Sequence, residues 1–176
     1  MDLILWRHAE AEPHVAEGDE AGDLKRALTP KGKRHAARVG AWLHRQLPDD
    51  VRVLCSPAKR CVQTVEALGR NYKLVEALAP YSSAEAILDA CGWPDHRQPV
   101  LVVGHQPLLG EVASLVLAGS KMDWRIKKAG VFWISQKMGG DKDEGNAPYV
   151  KLVVGPDFVG QLRWFKSPWP GTRSRS

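Results

Sequence analysis

Short apolar runs recur along this 176-residue chain, each followed by a stretch with helical periodicity that a proline opens. Leu3–Trp6, Val51–Cys55 and Val100–Val103 are the clearest runs, and apolar segments of this length bounded by turn residues read as buried strands. After the first run, Thr29-Pro30 supplies an N-cap and a proline for a first helical position. From there the spacing predicts a helix over about 30–47, with Ala36, Val39, Gly40, Leu43 and Leu47 on one face and Lys31, Arg34, Arg38 and Arg45 elsewhere. Ser56-Pro57 repeats the pairing before a helix with Cys61, Val62, Val65 and Leu68 inward and Gly69 as its stop. Lys73–Val75 reads as a short strand, and Ser82 or Ser83 as the cap of a helix through Ala86, Ile87 and Ala90. Pro107 opens a further helix, with Leu108, Val112, Leu115 and Val116 as its core face and Gly119 beyond its end.

Strands alternating with helices predict an α/β fold, a parallel sheet covered on both faces. Residues 9–28 are polar, rich in acids and without periodicity, and read as a loop. In the last third, Val131–Ser135 and Tyr149–Val154 read as later or edge strands, with antiparallel pairing one alternative, around a mobile glycine-rich polar loop, 139–146. The tail from about 167, with Pro168, Pro170, Arg173 and Arg175, reads as loosely ordered. No repeat or linker divides the chain, so a single domain over 1–176 is expected.

Composition narrows the classes. No apolar stretch approaches the ~20 residues of a membrane helix, and no basic region precedes the first run, so neither a membrane nor a signal peptide is expected. Three cysteines without metal-like spacing suggest a reduced, cytoplasmic setting. A net charge of +5 suggests an anionic partner. Nucleic acid is not expected, because no binding motif and no interleaved stacking aromatics accompany the basic residues.

The strand ends carry the chemistry. Ligands of open α/β sheets bind at the carboxyl ends of strands, where this sequence places Arg7 and His8, then Ser56 and Arg60, then His105 and Gln106. Arg60 falls in the first turn of its helix, an end that already favours anions. Guanidiniums grip tetrahedral oxyanions in bidentate fashion, and two imidazoles add a nucleophile and a second donor. No carboxylate cluster for Mg²⁺ accompanies them, so the set reads as phosphoryl transfer without metal or cofactor. Cys55 and Arg60 are one residue closer than the Cys-x5-Arg loop of cysteine phosphatases, and no glycine-rich cradle lies between them.

Arg7-His8-Ala9, Ser56-Pro57-Ala58-Lys59-Arg60 with Thr64, and Val103-Gly104-His105 resemble, in that order, the motifs of the histidine phosphatase superfamily, to which phosphoglycerate mutases belong. Leu28-Thr29-Pro30-x-Gly32 and Gly104-His105-Gln106-Pro107 look most like the SixA-type phosphohistidine phosphatases. The resemblance spans about residues 1–117. It implies a phosphoglycerate mutase-like three-layer α/β/α sandwich with a mostly parallel central sheet. It further implies that His8 attacks phosphorus and becomes a phosphohistidine, while Arg7, Arg60 and His105 hold the equatorial oxygens. Ser56 and Gln106, at the same strand ends, are candidate substrate contacts.

Two departures from the family pattern matter. Ala9 stands where the family has glycine, so a backbone of positive φ there would be strained. A glutamate that protonates the leaving alkoxide in many members has no clear counterpart, and Glu76 is the nearest candidate acid. A phosphoramidate tolerates that, because its leaving nitrogen can be protonated before the bond breaks. About 35 residues separate Thr64 from Pro99, which leaves little room for a capping subdomain. The expected substrate is therefore phosphohistidine on a signalling protein. The alternatives are a broad phosphatase or mutase acting on small phosphate esters, and a phosphoryl-binding module without turnover.

Overall fold

A computed structural model describes residues 1–13, 19–137 and 146–161. Within them β1 (Asp2–Arg7), β2 (Arg52–Cys55), β3 (Lys73–Leu74), β4 (Val100–Gly104), β5 (Val131–Ser135) and β6 (Tyr149–Val154) form one sheet in the order β3-β2-β4-β1-β5-β6. β3, β2, β4 and β1 are mutually parallel, and β5 runs against both of its neighbours. The helices are α1 (Glu20–Lys25), α2 (Pro30–Gln46), α3 (Lys59–Glu66), α4 (Ala84–Cys91), α5 (Leu108–Ala118) and α6 (Pro156–Gln161).

The uninterrupted apolar runs are explained by the two cores they serve. Successive side chains of a strand point to opposite faces. Ile4, Trp6, Val53, Cys55, Leu101 and Val103 join the core under α2 and α3, to which α6 adds Val159. Leu3, Leu5, Leu54, Val100 and Val102 join the core under α4 and α5. Fully burying one such aliphatic side chain contributes about 1.5–3 kcal/mol, so neither face of the central strands tolerates a polar residue. The result is the three-layer α/β/α sandwich.

Register then decides what lies at the sheet's edge. β1 pairs with β4 so that Arg7 is opposite Gly104, and β2 pairs with β4 so that Cys55 is opposite Val103. The ladder continues one step further, with His8 N–H donating to Gly104 C=O and Ser56 N–H to Val103 C=O, both at 3.0 Å. The residues that leave the sheet next are His8, Ser56 and His105, side by side.

Several elements differ from the sequence pattern. The 9–28 stretch contains α1, capped by Asp19, and an isolated antiparallel bridge between Ala11 and Leu28. α1 buries no residue, so it leaves no hydrophobic period to read. α3 begins at Lys59 with Ala58 at its N-cap, and Ser56 does not cap it. α6 has no counterpart among the predicted elements. Leu115 and Val116 are only half-buried, while Leu109 and Ala113 are fully inside. Ala9 is not strained: among the described residues Ala129 is the single non-glycine with positive φ. Residues 139–145 of the glycine-rich segment and the tail from 167 lie outside the described residues.

Gly32 in the first turn of α2 packs directly on the chain leaving β1, and a Cβ there would sit 2.0 Å from the carbonyl oxygen of Glu10. Helix propensity favours alanine over glycine by up to about 1 kcal/mol, but overpacking against backbone costs about 1–3 kcal/mol. Gly32→Ala is therefore expected to lower stability, at about 2–4 °C of Tm per kcal/mol for a chain of this size. Calorimetry or thermal circular dichroism measures it, and an unchanged or raised Tm would show that the Glu10 segment yields freely.

Candidate active site

His8 leaves β1 almost fully buried, and its ring is fixed by one hydrogen bond, Nδ1 to the carbonyl oxygen of Ala9 at 2.7 Å. A carbonyl can only accept, so Nδ1 carries the proton and Nε2 keeps a free lone pair. Ala9 is itself pinned, its N–H donating to Thr64 Oγ1 at 3.1 Å, and that hydroxyl donates back to Arg60 C=O at 2.7 Å. Thr64 thus ties the end of β1 to the first turn of α3.

Arg60 is 3 % exposed. Its Nη2 donates to Nδ1 of His105 at 3.2 Å and to Asp23 Oδ2 at 2.9 Å, and its Nη1 donates to the Asp23 carbonyl at 2.6 Å. A guanidinium has no acceptor, so Nδ1 of His105 is bare and Nε2 carries the proton, which it gives to Ser56 Oγ at 2.7 Å. The rings of His8 and His105 lie 5.3 Å apart, tilted by 56°. His8, Arg60, His105 and Ser56 thus meet at the sheet edge, and Asp23 and Arg26 join them from α1 and the residue after it.

The hydrophobic pattern had no signal for this pair, which lies in the acidic stretch read as loop. Asp23 accepts from Arg26 Nε at 2.8 Å as well as from Arg60, so one carboxylate bridges two guanidiniums. Burial would raise the Asp23 pKa, but the hydrogen bonds and charges of Arg60 and Arg26 outweigh it and hold the group below its ordinary value. A closer reading of Asp23-x-x-Arg26, a salt-bridge spacing on a helix, could have found it.

Both imidazoles are kept neutral. Burial lowers the His8 pKa to about 3, and the charges of Arg60, Arg7 and Arg26 push the same way against the Ala9 carbonyl, which favours the proton. Burial and Arg60 likewise lower His105 to about 2. The three described cysteines are free and buried, and burial pushes the Cys61 thiol up to about 12 although its sulfur lies 3.5 Å from His105 Nε2. None is a thiolate nucleophile at neutral pH.

Three expected contacts are placed differently. Ser56 is fully buried, and its hydroxyl accepts from His105 and from Ala58 N–H at 3.3 Å; its side chain orients His105 and is not free for a substrate. Gln106 donates from Nε2 to the Trp124 carbonyl and accepts from Ile126 N–H at 3.4 Å. Its amide braces the chain between α5 and β5 because Gly110, one turn on, lets that chain lie close against the helix. Glu76 lies exposed in a single 3-10 turn, Glu76–Leu78, with no hydrogen bond or ion pair to a site residue among those described. Arg7 is half-buried, with Nη1 donating to Ile126 C=O at 2.7 Å and a buried Nε that has no partner. Among the described residues no group of three His, Cys, Asp or Glu could hold a metal ion, and no helix is long and apolar enough to cross a membrane.

Residues 3–80 match the family model described as histidine phosphatase superfamily (branch 1). An uncharacterised protein of Mycobacterium tuberculosis is 34% identical over 122 residues, 66% of this chain and 73% of that protein. The phosphohistidine phosphatase SixA of Escherichia coli is 30% identical over 133 residues, 68% of this chain and 76% of that protein. The solved structure of the protein histidine phosphatase SixA complexed with tungstate superposes with a TM-score of 0.71, covering 90% of this chain and 99% of the other at 22% identity.

The two depressed imidazoles make stability depend on pH. The unfolded chain takes up protons at histidine near pH 6.5 while the folded site refuses them until about pH 3. The stabilisation is thus complete above about 6.5 and is lost progressively as pH falls toward 3. In urea titrations between pH 7.5 and 4.5, wild type is expected to lose more stability than a His8→Asn/His105→Asn variant. Parallel losses in the two proteins would mean that the imidazoles are not held neutral.

Proposed function

The chain belongs to the histidine phosphatase superfamily, and from that membership we propose that it is a phosphohistidine phosphatase working through a covalent intermediate on His8. The observation that carries this reading is the Nδ1 hydrogen bond of His8 to Ala9, which leaves Nε2 as an unprotonated nucleophile among arginines. Nε2 forms a bond to phosphorus while the donor's P–N bond breaks. The departing imidazole keeps the electron pair of that bond and a proton on its other nitrogen, and leaves neutral. Arg60 and Arg7 supply charge for the equatorial oxygens, with Arg26 adding to the field. His105, oriented by Ser56 and Arg60, faces the nucleophile ring. Water then attacks phosphorus, the P–Nε2 bond breaks, and phosphate is released with the water's oxygen.

The choice of a nitrogen leaving group rests on where the carboxylates are. Asp23 is the carboxylate in contact with the arginine cluster, and Arg60 and Arg26 hold it ionised, so it has no proton to give at neutral pH. Glu76 is exposed and, among the described residues, makes no hydrogen bond or ion pair with the cluster. Transfer from one imidazole to another exchanges like for like, P–N for P–N, and needs no acid strong enough to discharge an alkoxide. Similarity to SixA proteins, named for phosphohistidine, supports the same reading.

The test is a rate comparison between a phosphohistidine protein or peptide and a panel of sugar phosphates, each with excess EDTA. Turnover of phosphohistidine in preference to the sugars, unchanged by EDTA, is expected. His8→Ala is expected to lose turnover by on the order of 10³-fold or more while still binding tungstate. Faster hydrolysis of sugar phosphates would overturn the substrate, and wild-type-like turnover by His8→Ala would overturn the intermediate.

A further inference from the structure

Between α5 and β5 the chain presents Arg125, Lys127 and Lys128, all exposed, around a buried Ile126. This segment is fastened from behind by neighbours of the two histidines. Gln106 grips Trp124 and Ile126, Arg7 donates to Ile126 C=O at 2.7 Å, Ala129 N–H donates to His8 C=O at 3.1 Å, and Trp6 Nε1 donates to Ala129 C=O at 3.2 Å. Its backbone is therefore held at a set place relative to His8.

In front of it lies a cavity of about 440 Å³, with Arg7 in its wall and Lys31 of α2 facing Arg125, Lys127 and Lys128. Glu10 and Asp157 are its acidic lining among the described residues. Glu10 is 3.9 Å from Lys31 and 4.0 Å from Lys128, at the limit of ion pairing, so neither cation is closely paired there. A second cavity of about 470 Å³ shares Arg125, Lys127 and Asp157 and continues over Val131, Val154 and Phe158. Five cations facing two carboxylates repel one another, and burial lowers the Arg7 pKa, with the charge of Arg125 pushing the same way. An incoming carboxylate relieves that repulsion and can take two parallel hydrogen bonds from a guanidinium.

We propose that this cavity docks an acidic segment of the phosphoprotein substrate, seating its carboxylates against Arg125, Lys127 and Lys128 while the neighbouring phosphorylated side chain reaches His8. The inference rests on the phosphohistidine reading above for the identity of the substrate, but the cavity's preference for acidic chain is testable without it.

The probes are two phosphohistidine peptides that differ only in acidic or neutral residues beside the phosphorylated position, p-nitrophenyl phosphate, and a fluorescent unphosphorylated acidic peptide. The variant is Arg125→Ala/Lys127→Ala/Lys128→Ala, three exposed positions outside the catalytic cluster. Wild type is expected to prefer the acidic phosphopeptide about tenfold through KM, the sum of two or three exposed ion pairs. That preference should shrink as salt rises toward about 0.3 M. In the variant it should vanish, with p-nitrophenyl phosphate turnover unchanged. Equal preference in both proteins, or parallel loss on p-nitrophenyl phosphate, would overturn the docking site. If neither phosphopeptide is turned over but the fluorescent peptide binds wild type and not the variant, the docking site stands and the phosphohistidine reading falls. If the phosphopeptides are turned over but the fluorescent peptide binds both proteins alike, the docking site falls and that reading stands.

Discussion

The parallel pairing of β1 with β4, Arg7 opposite Gly104, aligns the ends from which both histidines leave the sheet. Pairing of β2 with β4 brings Ser56 to the same level, close enough for its hydroxyl to accept a hydrogen bond from Nε2 of His105. A slip of one residue in either pair would turn each strand's side chains to the other face and separate the imidazoles. The slip is resisted at the ends of β1, because it would draw Asp2 or Arg7 into apolar layers that bury every residue from Leu3 to Trp6 and from Val100 to Gly104. Hydrophobic packing on both faces thus sets the geometry of a polar site that contributes little to the packing itself.

Around that edge the electrostatic problem is to hold several cations close together without an anion of the substrate present. Asp23 answers part of it, since its carboxylate bridges Arg60 and Arg26. The imidazoles answer the rest by staying neutral. The arginines thereby favour the unprotonated form that a histidine nucleophile requires, so the groups suited to bind phosphate also prepare the atom suited to attack it.

Much of this was legible in the chain. Central strands and long helices announced themselves because burial on two faces, or on one helical stripe, leaves a period in the sequence. Arg7, His8, Arg60 and His105 were readable because each stands at the end of such an element. What stayed hidden has a common cause. α1 buries nothing, so no apolar period marked it, and Asp23 and Arg26 were concealed in its polar stretch. Ser56 and Gln106 were correctly placed at strand ends, yet the direction of a side chain there is set by tertiary partners, His105 for one and the Trp124–Ile126 backbone for the other. Local sequence contains neither partner.

The thiol of Cys61 sits against His105 with its proton retained and no path to solvent. Oxidants attack thiolates that they can reach, and this sulfur is neither ionised nor accessible. Burial thus closes the sulfur nearest the paired imidazoles to thiol oxidation for as long as the chain stays folded.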